Sequence, residues 1–309
     1  MSAENLWTLP LYREVALTIM AFFVVTGALL FFLRKKTPHF AAGWASIKSW
    51  FFIAPFIFVI FALPSPWPLV FLVFVGIFSA KTFYQMVGMY HRNWFVWTTY
   101  VFIIGLGYLA YHQEARLYNI MPMLFLGAIS FIPLLRNSAT HMIQYMALAL
   151  MAFIFWGWSL MHMGRLLMLE QGALLVIYLY MLTEFSEAVS LATSRVLGRI
   201  RPFNNITVRV TVEGVVVSIL LSVTLAWGMR HMLVDRSEQF WIAAGLIAAI
   251  FGRLGDLILS VIRRDLGIKD TGIFIIGRGD ILSRVDKMIF VGPIYYYVFL
   301  FLQQTRIGF

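Results

Sequence analysis

An all-α, polytopic integral membrane protein is the fold class this sequence predicts, and three observations predict it. Of its 309 residues, 61% are hydrophobic and only 12% are charged, too little charge to cover a soluble protein of that length. The apolar residues fall into roughly ten runs bounded by charge or proline, each about 17–23 residues, enough to cross a hydrocarbon core of about 30 Å. The lysines and arginines gather on alternate connections between these runs, as they do in cytoplasmic loops.

In chain order the spans are expected near 14–33, 49–64, 67–85, 95–111, 119–135, 142–160, 172–188, 212–230, 240–262 and 288–303. The first follows Arg13 and Glu14 and is too long for the core of a signal peptide, so it is expected to remain a span. Pro64, Pro66 and Pro68 leave open whether the second and third spans cross separately or form one broken hairpin. The first six spans carry little chemistry. Trp50, Trp67, Trp94, Trp97, Trp156 and Trp158 fall near span ends, where amphipathic rings sit at headgroup level. Met142, Met146 and Met151 suit packing or lipid-facing positions. His162 and Arg165, in the stretch HMGR, are expected at the outer interface. The whole of 1–309 is expected to be one membrane domain, with residues 1–170 as helices only and the chemistry confined to 171–309.

The connections beginning with Arg34, Lys35, Lys36 and Lys48 hold 17 of the 24 cations, among them Lys81, Arg92, Arg136, Arg195, Arg199, Arg201 and Arg209. The opposite side holds Arg13, Arg116, Arg165, Arg230, Arg236 and Arg306. The positive-inside rule then places both termini outside and the loops 189–211 and 263–287 in the cytoplasm. This distribution accounts for the net charge of +10 without a nucleic-acid partner. With no cysteine in the chain, disulfides and thiolate metal sites are excluded, so any metal must be held by oxygen or imidazole. No inverted repeat or pair of broken helices points to a transporter.

From the seventh span onward the character changes. Glu184 and Glu187 lie three apart, on one helical face at the end of an apolar run. The following loop offers Arg195, Arg199, Arg201, Asn204, Asn205, Thr207, Arg209 and Glu213. It reads equally as an ordinary basic loop beside anionic headgroups or as guanidiniums and hydroxyls arranged for phosphate. Residues 252–287 then hold five of the fourteen acidic residues, beginning inside a span with Arg253 and Asp256. Charge inside a span is costly by several kcal/mol and marks a site by default. Asp256 reads either as the partner of Arg253 one turn away or as a metal-binding carboxylate facing water. Arg263, Arg264, Lys269 and Asp270 follow, and Gly277 and Gly279 would let backbone N–H groups approach an anion. Asp280, Ser283 and Asp286 share one face of a helix, with Arg284 and Lys287 on the strip beside it. Oxygen ligands of this kind suit Mg²⁺, which binds a few carboxylates together with substrate phosphates. Cations next to such a site are the minimum equipment for phosphoryl or nucleotidyl transfer.

These residues resemble the phosphatidate cytidylyltransferases, or CDP-diacylglycerol synthases, over about 180–290. That family's pattern runs G-D-L-x-E-S, K-R, K-D, P-G-H-G-G and D-R-x-D. Gly255, Asp256, Leu257 and Ser260 match the first block, and Arg263 with Arg264 stands for the basic pair. Lys269 and Asp270 match K-D, Gly277 and Gly279 match two of the glycines, and Arg284 and Asp286 match the ending. Upstream, Thr207 to Gly214 is similar to the family's S-P-K-K-T-x-E-G element. The resemblance implies transfer of CMP from CTP to phosphatidic acid or a related membrane lipid phosphate in phospholipid biosynthesis, in a bacterial inner membrane. It implies Mg²⁺ on Asp256 and Asp286, catalytic roles for Lys269 and Arg284, and substrate contacts from Thr207, Arg209, Thr211, Arg264, Asp270, Gly277 and Arg278. A homodimer is expected from the resemblance alone.

There are departures at site positions. The family's glutamate before Ser260 is Leu259, its histidine is Arg278, a metal-ligating aspartate is Ser283, and the residue after Asp286 is Lys287 where the family has serine. The upstream acidic residue is matched by Glu184 at best. Two readings of the metal site follow: Asp280, one turn before Ser283, joins Asp256 and Asp286 as a ligand, or Arg278 takes the cationic position itself. The corresponding readings of the whole chain are a divergent cytidylyltransferase, or a non-catalytic homologue that binds anionic lipid or a partner protein through the same basic pocket.

Overall fold

The computed structural model describes residues 5–36, 38–233, 237–267 and 285–307; of these, 38–43, 45–47, 49, 52 and 305–307 are described in backbone only. Helices are the regular structure among the described residues: α1 (Pro10–Leu33), α2 (Pro38–Ala62), α3 (Trp67–Met86), α4 (Asn93–Tyr111), α5 (Ala115–Leu135), α6 (Met142–Leu167), α7 (Gly172–Val196), α8 (Val212–Gly228), α9 (Glu238–Asp265) and α10 (Met288–Ile307). Seven of them are long and apolar enough to cross a membrane, and α2, α8 and α10 carry shorter apolar stretches. The protein is therefore an all-α polytopic membrane protein, and its helices coincide with the ten apolar runs. Several extend past the runs, because a helix stops where its backbone is capped and not where its side chains turn polar. α7, for example, continues to Val196, beyond Glu184 and Glu187. Around the prolines, α2 ends at Ala62 and α3 begins at Trp67 as separate helices.

By its contacts the chain divides into two compact units, with the boundary between Phe71 and Leu72 inside α3. In the first, Pro10 occupies the first turn of α1, where its missing N–H costs nothing. α1 and α2 pack through Phe23 stacked on Trp50 at 5.8 Å and Tyr12, whose hydroxyl donates to the Phe58 carbonyl at 2.7 Å.

The second unit includes α7, α8, α9 and α10. α7, α8 and α9 pack on one another, and α10 packs against α9 and α6. Their contact is a seam of small residues four apart: Ser186, Ser190 and Ser194 on α7, and Gly214, Ser218, Ser222 and Ala226 on α8, all buried. Small side chains let helix backbones approach closely where water supplies no hydrophobic drive. The approach is close enough to require glycine: a Cβ on Gly214 would lie 2.2 Å from Ser194 Oγ, and one on Gly252 of α9 would lie 2.8 Å from Thr183 Cγ2. α8 starts at Thr211, whose side chain accepts from Gly214 N at 3.1 Å and lies 2.9 Å from Ser194 Oγ.

Phe153–Ser159 of α6 is a π-helical turn. The Trp158 carbonyl accepts from the Tyr118 hydroxyl at 2.7 Å and lies 2.8 Å from His162 Nδ1, so the widened turn stays satisfied. His162 and Arg165 are buried here among side chains of other helices. The Arg165 guanidinium lies between the rings of Tyr118 and Tyr296, 4.8 and 4.5 Å from their centroids. Aromatic faces thus take the charge that water would otherwise solvate.

Candidate active site

Asp256 and Asp286 come from opposite sides of the long connection between α9 and α10 and meet at Gly255. A Cβ on Gly255 would lie 2.1 Å from the carbonyl oxygen of Asp286 and 3.0 Å from Lys287 Cα. Only glycine lets the backbone around residue 286 lie flat on α9, and Asp256 is then near enough to act electrostatically on Asp286. The match of Gly255 and Asp256 to a G-D element thus has a mechanical basis, with the glycine making the approach and the next residue supplying the carboxylate.

Burial pushes the Asp286 carboxyl up, Lys287 draws it down, and Asp256 and Glu187 push it up again, to about 8. Its Oδ1 accepts from Lys287 N at 2.8 Å. Asp256 is about one-fifth exposed, the more open of the two. The local pairing expected of it is present but loose, since Arg253 Nη1 lies 3.9 Å from its Oδ2. Arg253 also donates from Nη2 to the Ser186 carbonyl of α7 at 3.1 Å. Thr183, Ser186, Glu187, Gly252, Arg253, Asp256 and Lys287 line a narrow crevice here, too tight for a water molecule.

Lys287 turns away from the strip expected to face phosphate. Its side chain is 5% exposed, and its ammonium hydrogen-bonds Glu184 and ion-pairs with Glu187. Burial works against the charge, but Glu184, Glu187 and Asp286 outweigh it and hold the ammonium well above the ordinary lysine range. The role of Glu187 is new. Its sequence signal was the three-residue spacing from Glu184 together with a lysine following Asp286.

The 198–211 loop closes over this end of the helices. Glu213 accepts from Ile200 N at 3.2 Å through Oε1, and Val212 N donates to Ile200 O at 3.0 Å. Arg264 Nη1 donates to the Ile206 carbonyl at 3.4 Å, which ties the end of α9 to the loop. Thr207 is buried and its Oγ1 accepts from Arg209 N at 3.3 Å; Thr211 is buried in its capping role. Both threonines therefore shape the loop. Arg209 acts electrostatically on Asp256 and Glu187, as do Arg253 and Lys287. Asp256, Asp286, Arg209 and Arg264 thus belong to one end of the α7–α10 group. Leu259, where the family pattern has glutamate, is packed at 2% exposure.

Lys269, Asp270, Gly277, Arg278, Asp280, Ser283 and Arg284 lie outside the described residues. Among the described residues no three of His, Asp or Glu converge as a metal-ligand group. Asp256 and Asp286 are hard carboxylates that interact electrostatically, oxygen donors of the kind Mg²⁺ takes together with phosphate oxygens and water.

Comparison with known proteins decides the family. The cytidylyltransferase family profile matches residues 44–302. The chain belongs to the cytidylyltransferase family. Curated relatives include a Staphylococcus aureus phosphatidate cytidylyltransferase, 27% identical over 59% of this chain and 68% of that protein, and a Staphylococcus epidermidis one at 26% over the same shares. An Escherichia coli K12 protein, YnbB, described as uncharacterized, is 24% identical over 91% of this chain and 95% of its own length.

Proposed function

We propose that this cytidylyltransferase transfers CMP from CTP to phosphatidic acid, or to a closely related lipid phosphate, in phospholipid biosynthesis. A non-bridging oxygen of the lipid phosphate attacks the α-phosphorus of CTP, the bond from that phosphorus to the oxygen bridging to the β-phosphate breaks, and pyrophosphate leaves. CDP-diacylglycerol is the product. The protein's part is positioning and charge neutralisation, since little covalent chemistry is asked of it.

The observation that supports this reading is the contact of Gly255 with the Asp286 backbone, which brings Asp286 against the helix that carries Asp256. Asp256 and Asp286 would hold Mg²⁺, which when bound supplies positive charge to the phosphates. Arg209 and Arg264 would bind phosphate oxygens from above. Lys269, Asp270, Arg278 and Arg284 are assigned to substrate and Asp280 with Ser283 to the metal edge on the sequence pattern alone. Lipid would enter from the cytoplasmic leaflet of the inner membrane and CTP from the cytosol, with both termini outside.

A second reading, a non-catalytic homologue that binds anionic lipid, draws on the engagement of Glu184 and Glu187 by Lys287. Purified protein incubated with CTP, phosphatidate and Mg²⁺ separates the two. CDP-diacylglycerol and pyrophosphate in equal amounts support the first, and lipid binding without turnover supports the second.

A further inference from the structure

A lysine at the end of an apolar helix ordinarily extends its stem along the helix and places its ammonium in water. Lys287 does the opposite and is 5% exposed, with its ammonium between Glu184 and Glu187. The two glutamates lie one turn apart on α7, so both carboxylates reach a single point. Asp286 and Tyr180 also act on that point electrostatically. An isolated buried ammonium is costly, as are two buried carboxylates with no cation. The three are intelligible only together.

Two carboxylates converging on one compact positive charge also form the core of a divalent-cation site, because Mg²⁺ and Mn²⁺ take the same hard oxygens. Lysine is suited to stand in for such an ion, being a point charge with no planar geometry to satisfy. Here the charge is covalently attached to residue 287, whose backbone lies against Gly255 and beside Asp286. It cannot dissociate, be exchanged or be chelated.

We infer that Lys287 is a built-in cation, occupying the point between Glu184 and Glu187 where a divalent ion would otherwise bind, so that divalent metal is confined to the edge formed by Asp256 and Asp286. The occupancy of the glutamate pair stands on the contacts of Lys287. The confinement of metal to the other edge rests on the proposed cytidylyltransferase reading. Lys287 is then a positioning residue: it joins α7 to the start of α10 and fixes the place of Asp286 without touching substrate.

The test counts bound Mn²⁺ by electron paramagnetic resonance on full-length protein in detergent, without substrate. Three forms are compared: wild type, Lys287→Met, and Lys287→Met combined with Glu184→Gln and Glu187→Gln. Lys287→Met is expected to bind about one more Mn²⁺ per chain than wild type, and the triple variant to return to the wild-type count. An unchanged count in folded Lys287→Met overturns the inference, and so does a gain that survives in the triple variant. Should Lys287→Met not withstand extraction, thermal aggregation in isolated membranes replaces the count. Mn²⁺ is expected to raise its midpoint further than those of the other two forms, which keep only the shared edge; an equal response in all three overturns the inference. Neither readout needs turnover. The expected counts without CMP transfer would refute the proposed activity alone, whereas transfer with unchanged counts would refute the role of Lys287 alone.

Discussion

Replacing Gly255 with alanine adds one methyl group where the structure has no room for it. The new Cβ would lie 2.1 Å from the Asp286 carbonyl oxygen, 2.8 Å from its carbon and 3.0 Å from Lys287 Cα, all backbone atoms that no rotamer change can move. Ordinary contact begins at 3.4 Å, so the segment carrying Asp286 must withdraw by 3.4 − 2.1 = 1.3 Å. Overpacking of this kind costs about 1–3 kcal/mol. Displacement of a reacting group by about 1 Å costs about 100-fold in rate. Gly255→Ala is therefore expected to remain folded, to lose about 100-fold in kcat for CTP-dependent CDP-diacylglycerol formation, and to bind Mg²⁺ more weakly. Gly127→Ala is the control: it lies in α5 with nothing within 4 Å of its added Cβ, and should retain full activity. Assays of both variants at saturating CTP and phosphatidate, with thermal midpoints measured in parallel, decide the matter. A Gly255→Ala enzyme with kcat within threefold of wild type would refute the claim that this contact assembles the site.

Arg209→Ala should raise KM for CTP about 10- to 100-fold, the loss of one charge-assisted hydrogen bond worth about 1.5–3 kcal/mol, with kcat changed less; steady-state kinetics at varied CTP measure it. Tyr118→Phe removes the donor at 2.7 Å from the Trp158 carbonyl and should lower stability by about 1–3 kcal/mol, read by thermal unfolding in detergent, with activity retained at permissive temperature. The Asp286 carboxyl, pushed up to about 8 from the ordinary carboxylate value of 3.8, gives a pH signature in metal-free protein. With the folded pKa raised, the stability contributed by this group is complete below the ordinary value and is lost as pH rises through about 8. Wild type should therefore lose stability relative to Asp286→Asn between about pH 4 and 8; a gap that stays constant over that range would contradict the assignment.

The helices were legible in the sequence because apolar run length is a strong signal: each of the ten runs lies on a helix among the described residues. Their ends were not, because caps and tertiary contacts set them, and α7 and α9 continue past the last apolar residue. Asp256 and Asp286 stood out in the sequence as charged residues at span ends, but the close backbone approach at Gly255 did not, since a lone glycine does not announce it. Lys287 was misread for a physical reason. Sequence places it on a basic strip, but a lysine faces phosphate or carboxylate according to which carboxylates another helix brings near, and Glu184 and Glu187 lie about a hundred residues earlier. The burial of Arg165 was not legible either, because the rings of Tyr118 and Tyr296 that receive it come from two other helices.

Formation of CDP-diacylglycerol from CTP and phosphatidate, followed with purified wild type and Asp286→Asn side by side, tests the account most directly. Mg²⁺-dependent product and stoichiometric pyrophosphate from wild type, both lost in Asp286→Asn, are the results it predicts. Wild-type protein that binds phosphatidate but forms no CDP-diacylglycerol, or turnover undiminished by Asp286→Asn, would contradict it.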